Sequence, residues 1–153
     1  MATMHEGSHD AAGRRVAIVA GRYNDFITGK LVDSAVDCLL RHGVESDAID
    51  VYWVAGAFEV PQLAANIARR AQVDGIVCLG AIVRGETNHF DILSESVIRS
   101  IAALPGQYRV PVTYGILSTD TIEQANNRAG GQLGNKGWES SMALIEMMSL
   151  WEE

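Results

Sequence analysis

The octapeptide RGETNHFD, Arg84 to Asp91, follows directly on the apolar run GIVCLGAIV. A buried strand that ends in glycine, charges, a hydroxyl and a lone imidazole delivers reactive groups to one place, unless the segment is an ordinary surface turn. An imidazole titrates close to neutral pH, so His89 can both give and take a proton. The competing use is a helix-capping or solvent-facing histidine. A helix beginning near Phe90, preceded by Gly85 and Thr87, would offer backbone N–H groups and the positive end of its dipole to a phosphate. Gly80 to Thr87 has the glycine spacing of a nucleotide phosphate loop, but Glu86 stands where the lysine is required and no G-x-G-x-x-G occurs. Both nucleotide fingerprints are therefore rejected. Tyr23 and Tyr114 are rings that can stack on a heterocycle or fill a core or rim. Arg128, near the end of a helical pattern, reads by itself as a dipole-compatible surface charge, and Lys136 in GNKG as a solvated turn residue.

These groups need elements to carry them. RVAIVAG lacks period-two alternation and so predicts a strand buried on both faces. A helix follows, capped by Asn24 or Asp25, with Leu31, Ala35, Cys38 and Leu39 on one face and Gly43 at its left-handed end. IDVYWV is the second strand, and FEVPQLAANIARRAQ the second helix, with Pro61 tolerated in its first turn. GIVCLGAIV is strand three. Leu93, Val97, Ile101 and Leu104 mark helix three, which Pro105-Gly106 breaks; VPVTYGIL is strand four, and a fourth helix runs from about Thr121. Regular βα alternation predicts an α/β fold: a three-layer αβα sandwich of the flavodoxin-like kind around a four-stranded parallel sheet. In such sheets ligands bind at the carboxyl ends of the strands, where GRYND, AGAFE, RGETNHFD and STDT lie. The last helix, GWESSMALIEMMSLW, is apolar around much of its circumference, which predicts that part of it packs on another subunit.

Composition bounds the function. A chain of 153 residues with 48% apolar and 20% charged content fits one domain, residues 15–153, behind a flexible polar arm, 1–14, in which His5 and His9 are expected to be solvated. A net charge of −7 argues against nucleic acid and anionic membranes, and no apolar run is long enough to span a bilayer. Cys38 and Cys78 are far apart in apolar patterns, so neither a disulfide framework nor a thiolate metal site is expected, and a reducing cytoplasm is.

In combination, RYN, GAFEVP, RGETNHFD, YGILSTDTIEQANNRAG and GNKGWES resemble, in order, the motifs of the lumazine synthases of riboflavin biosynthesis. That resemblance implies condensation of 5-amino-6-(D-ribitylamino)uracil with 3,4-dihydroxy-2-butanone 4-phosphate to give 6,7-dimethyl-8-ribityllumazine, phosphate and water, with no cofactor and no metal. It implies His89 as the proton-transfer residue. It places Tyr23, Ala57, Phe58, Glu59, Ala81, Ile82, Val83 and Tyr114 around the pyrimidine and ribityl chain, and Glu86, Thr87 and Arg128 at the phosphate. It also implies pentamers with sites between neighbours, in some members closed into icosahedral shells. Tyr114 inside strand four and Arg128 a helix away from its mouth do not join His89 easily within one chain, which fits a shared site.

Two departures from the commoner family pattern stand out. Tyr23 and Tyr114 replace phenylalanines, and Glu86 replaces a small residue, so its carboxylate must point away from a phosphate. A non-catalytic lumazine or flavin binder on the same fold could lose His89 or Arg128. Both are present.

Overall fold

Val16–Gly21 forms β1 and is buried along its whole length, as a strand covered on both faces requires. The computed structural model describes residues 1–131 and 134–151. After β1 come α1 (Asp25–Arg41), a 3₁₀ turn at Ser46–Ala48, β2 (Ile49–Val54), α2 (Val60–Arg70), β3 (Gly75–Val83), α3 (His89–Ala102), a short α4 (Leu104–Tyr108) and β4 (Val112–Thr119). The chain ends in α5 (Ile122–Asn127), the small antiparallel strands β5 (Ala129–Gly131) and β6 (Gly134–Asn135), and α6 (Lys136–Leu150).

The four long strands make one parallel sheet in the order β2-β1-β3-β4. Side chains alternate across it. Val16, Ile18 and Ala20 of β1, with Val77, Leu79 and Ala81 of β3, pack on the layer of α1 and α6. Ala17 and Val19, with Ile76, Cys78 and Ile82, pack on α2, α3 and α4. This is the predicted three-layer flavodoxin-like sandwich. β1 is buried throughout and β3 is buried as far as Ile82, and each fully buried Leu or Ile contributes ~1.5–3 kcal/mol relative to exposure. β2 is the sheet edge, and its Val51 and Trp53 remain partly exposed.

Local details add to or alter these expectations. Asn24 stands at the start of α1 in the left-handed region, φ 65°, without a side-chain capping bond; its Nδ2 instead donates to Ala81 O at 3.0 Å, tying the first turn to β3. Pro105-Gly106 does not simply break helix three. α3 stops at Ala102, and the proline sits in the first turn of α4, where its missing N–H costs nothing. The β5 and β6 pairing was not foreseen, because three- and two-residue strands carry no periodicity. The apolar circumference of α6 is largely used within the chain, since the helix packs on both α1 and the sheet: Leu144, Ile145 and Met148 are buried, leaving Met147 and Leu150 exposed. Contact with α1 is so close that a Cβ on Gly137 would overlap the Leu31 carbonyl.

The segment before β1 carries no helix or strand. Ser8 N–H donates to Ser149 Oγ at 2.8 Å, His9 pairs with Glu146 at 2.8 Å, and Ala11 is buried.

Candidate functional site

The chain leaves β1 for β2 on one side and then returns to β3 on the other, so the sheet has a switch point between β1 and β3. A crevice opens where connections diverge in this way. Here it is a cleft of about 610 Å³.

Three turns build it. After β1, Arg22 N–H donates to Val54 O at 2.7 Å and Tyr23 N–H to Ala55 O at 3.0 Å, prolonging the β1–β2 ladder and holding Tyr23 at the rim, 76% exposed. After β2, Glu59 N–H donates to Gly56 O at 3.1 Å and Val60 N–H to Ala57 O at 3.3 Å, turning the chain into α2. Ala57 is buried, Glu59 half-buried, and Phe58 58% exposed. The end of β3 supplies buried Ala81 and Ile82 and half-buried Val83; Gly85, Thr87, His89, Phe90 and Leu93 complete the wall. The first residue of α3 is His89, and its N–H donates to Thr87 Oγ1 at 3.3 Å. Two exposed rings above a small-residue floor make a slot for a flat apolar body, with a helix start beside it for an anion.

A second cleft, of about 500 Å³, lies on the other side of Phe90, which among the described residues is the one lining both. It is polar. Thr121 caps α5 by accepting from Gln124 N–H at 3.1 Å, while Gln124 Oε1 accepts from Asp120 N–H at 2.9 Å. Arg128 follows as the C-terminal cap of α5. Lys136 N–H donates to Arg128 O at 2.8 Å, and Asn135 Oδ1 caps α6 by accepting from Gly137 and Trp138 N–H at 2.8 and 3.1 Å. The β5–β6 pairing thus goes with two cations, Arg128 and Lys136, lining one cleft. Sequence spacing did not reveal that Lys136 joins Arg128, because that pairing was not foreseen.

All the predicted site residues line the first cleft except Glu86, Tyr114 and Arg128. Glu86 is exposed and lines neither cleft. Tyr114 sits on β4 opposite Cys78, half-buried against the α2–α3 side of the core, and burial raises its phenol pKa. Arg128 lines only the second cleft. Asn24, Gly56, Gly85, Phe90 and Leu93 line the first cleft beyond the predicted set. Phe90 and Leu93 were legible only as part of a helix face, and the role of Asn24 depends on its reach to β3.

Between the clefts, Arg84 donates through Nε to Asp120 at 2.7 Å and through Nη2 to Asp91 at 3.1 Å, with its guanidinium 4.4 Å from the centre of the Phe90 ring. Hydrogen bonds to Asp120 and then Asp91 hold it charged. Both thiols are buried and free; burial pushes Cys78 up to about 12, and burial with the nearby Asp37 pushes Cys38 up to about 11. Neither is a thiolate at neutral pH. Among the described residues no group of three or more His, Cys, Asp or Glu is placed to hold a metal ion, and no helix is long and apolar enough to cross a membrane.

Compared with known proteins, residues 13–152 match the family model described as 6,7-dimethyl-8-ribityllumazine synthase. Two proteins of that name, from two strains of Clostridium kluyveri, are each 46% identical to this chain over 150 residues, covering 98% of it and 97% of their own length.

Proposed function

The chain belongs to the 6,7-dimethyl-8-ribityllumazine synthase family, and on that premise we propose how its two clefts divide the reaction. The activity is that of a transferase, condensing 5-amino-6-(D-ribitylamino)uracil with 3,4-dihydroxy-2-butanone 4-phosphate to give 6,7-dimethyl-8-ribityllumazine, phosphate and water in riboflavin biosynthesis. A pyrimidine amine adds to the ketone and loses water to give an imine. Phosphate leaves as the imine isomerises, the resulting enol tautomerises to a ketone, and the ribityl-bearing amine attacks that carbonyl to close the second ring with further loss of water. Every step moves a proton.

In this scheme the pyrimidine lies in the first cleft. Tyr23 stacks on it, the turn of Ala57, Phe58 and Glu59 holds the ring and ribityl chain, and Ala81, Ile82 and Val83 form the floor. His89 transfers protons at the reacting carbons. Thr87 and the Glu86 backbone hold the phosphate at the start of α3, with the Glu86 carboxylate directed to solvent. Arg128 completes the phosphate site as a forked cation, and Tyr114 closes the pyrimidine pocket, both from a neighbouring copy.

The observation that carries this division is the separation of the two clefts by Phe90. A ring-bearing substrate and a phosphate-bearing one need both an apolar slot and cations, and this chain keeps them apart. A homo-oligomer, a pentamer or an assembly of pentamers, sets the second cleft of one copy against the first cleft of the next. The enzyme works in the cytoplasm.

The test is formation of fluorescent lumazine from the two substrates, with assembly checked by light scattering. Wild type is expected to show saturable turnover, and Arg128→Ala to lose about a hundredfold in kcat/KM, the scale of a lost charge-assisted phosphate pair. His89→Ala should lose less, because imine formation and ring closure proceed slowly without it. A wild type that binds lumazine but makes none above buffer would mark the chain as a binder.

A further inference from the structure

Arg84 takes no part in the division of roles above, yet it joins three segments of the site. It leaves the end of β3, where its N–H donates to Thr119 O at 2.9 Å. Its side chain then grips Asp120 at 2.7 Å, at the edge of the second cleft, and Asp91 at 3.1 Å, in the first turn of α3. The guanidinium lies over Phe90, the wall common to both clefts. All three charged groups are well exposed, and exposed ion pairs contribute little to stability. Stability alone therefore does not account for an arginine that spends its whole fork here.

Electrostatics supplies a reason. Asp91 lies in the first turn of α3, which begins at His89, and Asp120 lines the second cleft beside Arg128 and Lys136, the two places an anionic substrate must reach in the division above. Unmasked, both would repel a phosphate. A lysine could neutralise one of them, but only a planar fork can bind two carboxylates while stacking on a ring.

We propose that Arg84 is a positioning residue for the phosphate-bearing substrate, masking Asp91 and Asp120 and seating Phe90 between the clefts. This rests on the division of the two clefts given under Proposed function. Arg84 acts through its neighbours and does not touch the reacting atoms.

The experiment compares Arg84→Gln, Arg84→Lys and the triple variant Arg84→Gln/Asp91→Asn/Asp120→Asn in the assembled protein. Arg84→Gln is expected to raise KM for the phosphate substrate about tenfold, with KM for the pyrimidine within about twofold. Arg84→Lys, keeping charge without the fork, should give a smaller shift of about threefold, and the triple variant should return most of the loss. Inorganic phosphate, titrated calorimetrically, should follow the same order. Equal movement of both KM values, a fall in kcat alone, or a triple variant no better than Arg84→Gln overturns the proposal. If wild type makes no lumazine, the assigned reaction fails instead, and the phosphate titration decides Arg84 by itself: undiminished binding to Arg84→Gln overturns the masking role, and weakened binding upholds it. If circular dichroism shows that Arg84→Gln does not fold, Arg84→Lys is judged by the same split between the two substrates.

Discussion

The two clefts share one ring, Phe90, and differ in how they are made. The first is assembled from turns that leave adjacent strands, and its backbone bonds, such as Arg22 N–H to Val54 O, simply prolong the sheet ladder. The second depends on a short antiparallel pairing that sets Lys136 against Arg128, and on an α6 seated against α1 without room for a single methyl at Gly137. An apolar slot is thus a by-product of strand order, while a cationic one needs distant segments to close on each other. The half proposed to bind the ring should tolerate local change, and the half proposed to bind phosphate should fail whenever α6 is displaced.

The largest effect would come from separating the halves genetically. Arg128→Ala and Phe58→Asp, each about a hundredfold impaired alone, should recover about a quarter of wild-type activity when unfolded and reassembled together, because random mixing pairs two intact halves at that frequency. Mixing the folded proteins without reassembly should recover less. No recovery after verified co-assembly would place both halves of a working site in one chain.

Next in size is Gly137→Ala. The added methyl meets the Leu31 backbone, which has no rotamer to yield, and the expected loss is about 3 kcal/mol in urea unfolding. Phosphate affinity should fall more than lumazine affinity. Equal loss of both would show that the first cleft also depends on α6.

The smallest effect is expected at Glu86. The side chain is exposed and lines neither cleft, so Glu86→Ala should keep kcat within about twofold and leave phosphate-substrate KM unchanged or lower. A large fall in kcat would bring this carboxylate into the chemistry.

Much of the first cleft was legible from residue order alone. Unbroken apolar runs locate β1 and β3 because a strand covered on both faces needs no alternation, and the polar segments after them fall at the sheet's carboxyl edge by topology. The closeness of Tyr23, Ala57 and Thr87 follows from that. Less visible were the single long-range contacts. Asn24 looked like a helix cap because its position relative to α1 is local information, whereas its bond to Ala81 O spans 57 residues. The apolar circumference of α6 exceeds one sheet face; α1 covers a further part of it, and Met147 and Leu150 stay exposed.

By itself, then, the sequence determined the four long strands and the main helices between them, the parallel sandwich and the chemical character of each turn, since these follow from side-chain period, backbone preference and residue type over short spans. Only the tertiary structure decided that Phe90 divides the site, that Arg84 bridges Asp91 and Asp120, and that Lys136 joins Arg128. Those outcomes depend on how separate elements pack, and no local pattern encodes which distant partner a side chain will meet.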